Sequence, residues 1–495
     1  MTPGRLRRNV LLNLVGHGVP LVVAIAAMPF VTRGLGPDRF GVLALAWTFI
    51  GYFAVFDLGL GRSLTQRVAE LIGEGREDDV PAVAWTGSTA TFLLGLLGSA
   101  SVLVLADPLV RSVLRIPPEL VDESLRALKV LSLSLPLVLS TNALRGLLEA
   151  YHRFGLVSLV RASVGAFMFL GPLVVLPFTA RLDVIVAVIV ASRAVAWVVH
   201  GWLCAHVNPE LARPRRPRWK GVAMLFRMGG WLTVSNVISP VLMYGDRILI
   251  GSVVSMSALA FYTTPSEVVT RVVLAPAAIA GVFFPAFAGT FRSNPGRADE
   301  LFSTAVRAVL LLVFPLLLGM LVFAEPGLTL WVGTEFARDG TVVARWLVVG
   351  VLFNGLAQVP LALVHGAARA DVTARLHAWE APFYLVLLWH LVGAFGLAGA
   401  AVAWSVRAGA DAALLFHAAA RIVPETRRSV HAAGLWTLAA GALLAGAWAL
   451  VLRDTPGLAF LLPLAAFLAA AWKGLMRPSW RNAVVARALG RAAAR

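Results

Sequence analysis

The chain has 495 residues, of which 59% are hydrophobic and only 14% are charged, and its mean hydropathy is +0.81. Soluble domains carry about 25% charged residues, so this composition excludes a soluble protein and indicates an integral membrane protein. The formal net charge of +17 reflects 43 Lys and Arg against 26 Asp and Glu. In a membrane protein this excess first concerns topology and lipid contact, so nucleic acid is not an expected partner.

Fourteen apolar segments are long enough to cross a membrane, since about 20 apolar residues span a bilayer as a helix. In chain order they lie near 9–32, 40–61, 80–106, 124–148, 155–179, 183–206, 222–252, 257–289, 301–323, 341–365, 374–393, 396–420, 430–452 and 456–474. The sequence therefore predicts an all-α integral membrane protein with about fourteen transmembrane helices.

A basic, proline-rich run, ARPRRPRWKG, divides these segments. The predicted domains are an N-terminal six-helix lobe (1–208), a basic cytoplasmic linker (209–221), a C-terminal six-helix lobe (222–421), and helices 13 and 14 with a basic cytoplasmic tail (422–495). The segments 148–162 and 364–378 resemble each other weakly, which favours two related lobes. Such repeats usually place a substrate site in a central cavity between the halves.

Loop charges predict the orientation. With the N-terminus inside, 29 Lys and Arg fall on the cytoplasmic side and 10 on the opposite side. Cytoplasmic loops of membrane proteins are enriched in Lys and Arg, so both termini are expected in the cytoplasm.

Neither an enzyme nor a cofactor is predicted. The single cysteine, Cys204, excludes an internal disulfide, and the nine histidines show no metal-ligand spacing. The sequence has no Walker A motif, and almost all of the chain falls in apolar segments or short loops.

Charges inside the predicted spans are the candidate functional residues, because a charge at the bilayer centre is costly and must face protein or water. Four of the 43 Lys and Arg remain outside the 29 and the 10 counted for the two sides, and each lies inside a predicted span: Arg193, Arg247, Arg271 and Arg407. The anions are Asp57, Asp246, Glu267 and Asp411, with Glu380 nearer a span end. Two i,i+4 pairs, Glu267–Arg271 and Arg407–Asp411, have an alternative structural interpretation as mutual neutralisation. Arg193 has no anion within one turn of its own helix, so its partner must come from elsewhere.

Two N-terminal runs, MPFVTRGLGPDRFGVLAL (28–45) and YFAVFDLGLGRSLTQRVAE (52–70), carry a recognisable pattern. Its residues are Pro29, Arg33, Leu35, Gly36, Phe40, Gly41, Asp57 and Gly59, and further matches are Asp246, Arg247, Tyr262 and Pro285. This pattern resembles bacterial polysaccharide flippases, a family of the multidrug/oligosaccharidyl-lipid/polysaccharide exporter superfamily. The glycines are expected mainly to permit a tight turn and close helix packing.

The resemblance implies a flippase that moves a polyprenyl-pyrophosphate-linked oligosaccharide across the bacterial cytoplasmic membrane by alternating access. The arginines expected to bind its pyrophosphate, because guanidinium groups offer forked donors to phosphate oxygens, are Arg247, Arg271, Arg193, Arg33 and Arg407. The carboxylates expected to serve gating or coupling are Asp57, Asp246, Glu267 and Asp411. Membrane lipids, protons or sodium as coupling ions, and other polysaccharide-assembly proteins are the remaining expected partners.

Two other functions stay open at this point. A cation-coupled multidrug antiporter of the same superfamily would need an acidic cavity, whereas the spare charge of this chain is basic. A membrane glycan polymerase or glycosyltransferase usually has a large extracytoplasmic loop or a carboxylate-rich soluble part, and the loops here are short.

Overall fold

A computed structural model describes residues 3–217, 238, 240–291 and 293–475, and these residues contain helices and turns but no β-strand. The helices are α1 (Pro3–Tyr52), α2 (Leu60–Gly73), α3 (Val80–Pro108), α4 (Val121–Ser132), α5 (Ser134–Ala150), α6 (Phe154–Val175), α7 (Leu182–Val207), α8 (240–253), α9 (Met256–Val269), α10 (Leu274–Thr290), α11 (Pro295–Val322), α12 (Ala324–Val332), α13 (Thr334–Gly366), α14 (Ala370–Ile422), α15 (Arg427–Val451) and α16 (Pro456–Gly474).

Eleven helical stretches of the described chain are long and apolar enough to cross a membrane. Two of them, Gly18–Tyr52 and Ala370–Ile422, each cover two predicted segments and are broken by a glycine. Gly36 (φ 72°) and Gly396 (φ 56°) adopt positive φ values, which glycine tolerates because it has no Cβ. The predicted segment 222–252 lies mostly outside the described residues. The predicted all-α membrane fold is therefore confirmed. The two helices broken at glycine and the segment outside the described residues account for the difference between eleven helical stretches and fourteen predicted segments.

The chain divides into two compact units, Met1–Thr264 and Pro265–Arg495. In the first unit α1 packs along α6, α3 packs along α5, and α7 contacts α4, α5 and α6. One hydrophobic core joins α2, α3, α5, α6 and α7, with Leu64, Val80 and Leu148 fully buried. This core holds α5, α6 and α7 in fixed positions.

In the second unit, α13 is the most buried of the candidate spans and contacts α10, α11, α12 and α14. Helix α14 folds back on itself at Gly396. His377, before the break, lies 3.5 Å from Asp411, after it, so the two parts of α14 run antiparallel. The bounds of the predicted lobes, 1–208 and 222–421, differ from those of the two compact units, and the division into lobes stays a prediction.

Of the predicted linker 209–221, the described part begins with one 3₁₀ turn, Pro209–Ala212, and continues without helix to residue 217. Residues 213–216 are exposed, and Arg213 and Arg215 both pair with Glu210. The rest of the linker and the basic tail after residue 475 lie outside the described residues.

Gly41 lies where α1 meets the start of α9, and it offers a test of close helix packing. A Cβ atom at this position would lie 1.9 Å from the Met256 carbonyl oxygen, which belongs to the backbone and cannot move independently. We expect Gly41→Ala to destabilise the protein by roughly 1–3 kcal/mol through overpacking. The measurement is folded yield and thermal unfolding of the purified protein.

Gly18→Ala is the matched control on the same helix, since nothing lies within 4 Å of the added methyl group. Alanine is the better helix former by about 1 kcal/mol, so this variant should be neutral or slightly stabilised. Equal stability of the two variants would contradict the packing argument.

Candidate functional site

Asp246 and Arg247 lie on α8 among three tyrosines of the first unit, and together they form the tyrosine cluster (Tyr52, Tyr244, Asp246, Arg247 and Tyr262). The buried Asp246 carboxylate accepts a hydrogen bond from the Tyr262 hydroxyl through one oxygen. Its other oxygen accepts from the Arg247 backbone N–H at 2.8 Å. The Arg247 guanidinium lies 5.5 Å from the centroid of the Tyr244 ring, which packs against Tyr52 at 5.8 Å between centroids. Asp246 therefore orients Tyr262, while an aromatic face supports the Arg247 guanidinium.

A second group of charges surrounds a cavity of about 190 Å³ between α5, α6 and α7, named here the arginine pocket. Its polar lining consists of Thr141, Asn142, Arg145, Arg161, Arg193 and His200. The Glu149 carboxylate lies 3.6 Å from Arg145 and 3.8 Å from Arg161. The buried Nε of Arg193 finds no acceptor among the described residues, and no described carboxylate forms an ion pair with this arginine. The pocket is therefore positively charged and suited to an anion.

A larger and mainly apolar cavity of about 670 Å³ is lined by α3 and by other residues of α5 and α7 than those of the arginine pocket. Its aromatic lining consists of Trp85, Phe92, Trp197 and Trp202. A face of this kind suits the hydrocarbon part of a lipid, so the same two helices present a basic side and an apolar side.

The third group is a buried ionic cluster of His377, Glu380, Arg407 and Asp411, formed by the two antiparallel parts of α14. The side chains of Glu380 and Asp411 are only 8% and 7% exposed. Arg407 Nη1 lies 4.0 Å from Glu380 Oε2, and the guanidinium lies 5.5 Å from the centroid of the Tyr384 ring. Ligand atoms of His377, Glu380 and Asp411 fall within 4.8 Å of one another, close enough to share a small cation. The positive charge of Arg407 beside them disfavours a divalent metal.

The predicted i,i+4 pair of Arg407 with Asp411 is wrong. Arg407 instead faces Glu380, and Asp411 faces His377 across the antiparallel arrangement. The second predicted i,i+4 pair is confirmed, because Arg271 donates to Glu267 at 2.7 Å. Arg271 lies in a 3₁₀ turn, Thr270–Val273, and its side chain is 45% exposed.

The remaining predicted site residues lie near the ends of helical segments. Asp57 is buried and accepts hydrogen bonds from the Gly61 N–H at 3.2 and 3.3 Å, so it caps the first turn of α2. Arg33 is exposed and lies one turn before the break at Gly36. The structure thus places Asp246 and Arg247 in the tyrosine cluster and Arg407 and Asp411 in the ionic cluster, whereas Arg193 lies in the arginine pocket.

Comparison with known proteins decides the family. Residues 30–338 match the family described as polysaccharide biosynthesis protein. The chain is also 31% identical over 413 residues to a putative O-antigen transporter of Shigella flexneri, a match that covers 82% of this chain and 96% of that one. The chain belongs to the polysaccharide biosynthesis protein family. The resemblance predicted from the N-terminal motifs is therefore confirmed.

This polysaccharide biosynthesis protein shares its fold with solved transporters. The lipid II flippase MurJ, in an inward closed conformation, matches with a TM-score of 0.72 and 12% identity over 94% of this chain and 100% of that one. An inward-facing multidrug resistance MATE family transporter of the MOP superfamily matches with a TM-score of 0.68 and 16% identity, covering 84% and 99% of the two chains. At these identities the likeness shows the fold alone.

Two arginines of this family member that are not among the predicted site residues join a candidate site. Arg145 lies inside α5 and Arg161 inside α6, and both line the arginine pocket with Arg193. Arg145 falls within the predicted span 124–148 and Arg161 within the predicted span 155–179. These positions inside spans were the signal in the sequence that could have identified both as candidate site residues. His377 of the ionic cluster was missed for another reason, since its partner Asp411 lies on the other side of the break at Gly396.

Proposed function

We propose that the protein is a flippase that moves a polyprenyl-pyrophosphate-linked oligosaccharide across the bacterial cytoplasmic membrane by alternating access, for polysaccharide assembly. The observation that carries this proposal is the match to a putative O-antigen transporter of Shigella flexneri over 96% of that protein. Such coverage at 31% identity includes the whole transport fold and not one shared segment.

The proposed role of the arginines is to bind the pyrophosphate while the lipid tail stays in the bilayer and the sugar crosses in water. The side chains proposed for this role are Arg247, Arg271, Arg193, Arg33 and Arg407. Guanidinium groups suit it because they remain charged and donate two parallel hydrogen bonds to phosphate oxygens. The carboxylates proposed for gating or ion coupling are Asp57, Asp246, Glu267 and Asp411.

The basic arginine pocket supports this proposal over a multidrug antiporter. Organic cations require negative or aromatic surroundings, whereas this cavity has three arginines and one nearby carboxylate, Glu149. The same chemistry fits the binding of an intact anionic lipid. We further propose that both termini lie in the cytoplasm, as the distribution of loop charges favours.

Deletion of the gene in its host tests the proposed function. We expect loss of the surface polysaccharide together with accumulation of the complete lipid-linked oligosaccharide in the cytoplasmic leaflet, because assembly continues while translocation stops. Reintroduction of the wild-type gene should reverse both changes. The measurements are surface glycan by immunoblot and lipid-linked glycan by mass spectrometry of extracted lipids.

The alternatives give different outcomes in the same experiment. Loss of a glycosyltransferase would leave a truncated lipid-linked glycan, and loss of a polymerase would leave single repeat units at the surface. Loss of a multidrug antiporter would change drug sensitivity while the surface polysaccharide remained intact. Any of these three results would contradict the flippase proposal.

A further inference from the structure

The arginine pocket gathers cations from three separate helices. Arg145 lies on α5, Arg161 on α6 and Arg193 on α7. Glu149 is the one carboxylate of the described chain that pairs with two of them, at 3.6 and 3.8 Å. Three positive charges against one negative charge leave a net positive cavity inside a membrane domain, where uncompensated charge is costly. An anion bound in the pocket would offset that cost.

Arg193 gives a second and independent indication of a ligand. It lies 11 residues after Leu182 and 14 before Val207, so it is about 16 Å and 21 Å from the two ends of α7 at 1.5 Å per residue. Its Nε is buried without an acceptor in the described part of the chain. A buried donor left unsatisfied is destabilising, and a buried charge without a partner is more so. The burial of the Arg193 Nε without an acceptor is explained if an acceptor from outside the protein occupies the arginine pocket.

The size and lining of the pocket define the chemistry of that acceptor. A volume of about 190 Å³ is below the 300–1,000 Å³ that is usual for drug-sized ligands, so the pocket admits a compact group and not an oligosaccharide. Guanidinium forks match phosphate oxygens, and Thr141 and Asn142 add further hydrogen-bonding groups. Val157, Val160 and Val164 of α6 form an apolar wall beside them. A phosphate group attached to a hydrocarbon chain fits this combination.

We propose that the arginine pocket binds the phosphate head of an anionic lipid. Basic pockets between transmembrane helices bind such head groups. Two kinds of lipid supply such a phosphate group. One is a polyprenyl diphosphate, and this assignment rests on the proposed function. The other is an anionic phospholipid of the membrane, and this assignment does not depend on the proposed function. Arg145 and Arg161 lie close to the α5–α6 turn, on the side that the loop charges predict to be cytoplasmic.

Binding to the purified full-length protein tests this inference. The protein is placed in nanodiscs of neutral phosphatidylcholine, and the probes are farnesyl diphosphate, phosphatidylglycerol and the uncharged farnesol. We expect the two phosphate probes, but not farnesol, to bind and to raise the thermal unfolding temperature, because they bind the folded state. Arg193→Gln should weaken phosphate binding by about tenfold or more, as expected for loss of a charged hydrogen bond.

Arg153→Gln is the matched control. Arg153 is an exposed arginine of the same α5–α6 turn and does not line the pocket. This variant should bind both phosphate probes like the wild type. Wild-type binding of both probes by Arg193→Gln, or equal binding of farnesol, would overturn the proposal.

The unfolding temperature without probe separates a ligand role of Arg193 from a structural one. Glutamine removes a buried charge that lacks a described partner, so Arg193→Gln should be at least as stable as the wild type without probe. A purely structural role predicts the reverse, a less stable variant that keeps the full probe-induced shift, and this result also overturns the proposal. Arg161→Gln provides a second variant, with the same expected loss of binding, in case Arg193→Gln does not fold.

The probes also identify the source of the phosphate. Much tighter binding of farnesyl diphosphate supports the pocket as part of the substrate site, and equal binding of both probes supports a general lipid site. The two proposals fail separately. If deletion of the gene stops glycan export but Arg193→Gln binds normally, the pocket proposal alone fails. If deletion leaves the glycan intact while the pocket binds phosphatidylglycerol, the flippase proposal alone fails.

Discussion

Replacing Arg247 by alanine is expected to abolish glycan export at unchanged membrane abundance, and replacing it by lysine is expected to lower export by about tenfold or more. The reason is the forked hydrogen bonding that we propose between Arg247 and the pyrophosphate. A hydrogen bond to a charged group contributes about 1.5–3 kcal/mol, and each 1.4 kcal/mol corresponds to a factor of about ten. The measurement is surface polysaccharide in cells that carry each variant at matched abundance.

The lysine variant decides between two roles of Arg247. If the side chain served only as a counter-charge in the tyrosine cluster, lysine would be nearly as good as arginine. The Asp246 carboxylate already accepts from the Tyr262 hydroxyl and from a backbone N–H, which favours a role in positioning the cluster. The Arg247 guanidinium lies over the Tyr244 ring, 5.5 Å from its centroid, an arrangement that supports the planar group.

Arg338→Ala is the control for this experiment. The Arg338 side chain is 86% exposed, and its contact with Asp339 is long, at 4.0 Å. We expect export at the wild-type level, because exposed ion pairs contribute little. Full export by Arg247→Ala would end the hypothesis, and the site would then move to Arg193 and Arg407.

The helices were predictable because their physical cause is local. A run of about 20 apolar residues between polar ends is sufficient to define a membrane helix. The predicted segments 183–206 and 456–474 therefore agree closely with Leu182–Val207 and Pro456–Gly474. The segment predicted at 40–61 is less accurate, because α1 ends at Tyr52 although apolar residues continue. Hydropathy does not detect the 3₁₀ turn Phe53–Asp57 that follows.

The grouping of site residues was only partly predictable, because it depends on contacts between helices. The sequence identified Arg193 as a charge without a partner on its own helix. It did not show that Arg145 and Arg161 share a cavity with it, since these three residues come from three helices. The same limit explains the wrong pairing of Arg407 with Asp411. Spacing along a helix offered that pair, whereas the fold at Gly396 brings Glu380 and His377 closer.

Arg407→Met is expected to cost about 3–5 kcal/mol of stability, as breaking a buried ion pair typically does. The substitution keeps an unbranched apolar side chain but leaves Glu380 and Asp411 buried close to each other, beside His377. The measurement is unfolding of the purified protein in detergent. Arg375→Met is the matched control on the same helix, because the Arg375 side chain is 66% exposed, and its stability should be nearly unchanged.

A second substitution tests whether the ionic cluster itself causes this loss. Glu380→Gln added to Arg407→Met removes one of the two buried carboxylates, so the double variant should recover most of the lost stability. Such recovery is expected because Glu380 faces Arg407 directly, at 4.0 Å, and residues in contact do not act independently. Two results would contradict a stabilising role of the ionic cluster: a double variant that recovers no stability, or an Arg407→Met variant as stable as Arg375→Met. Glycan export by the stable double variant then separates the two roles of Arg407. Wild-type export would mean that Arg407 acts only in stabilising the fold. Loss of export would support Arg407 as a phosphate-binding residue.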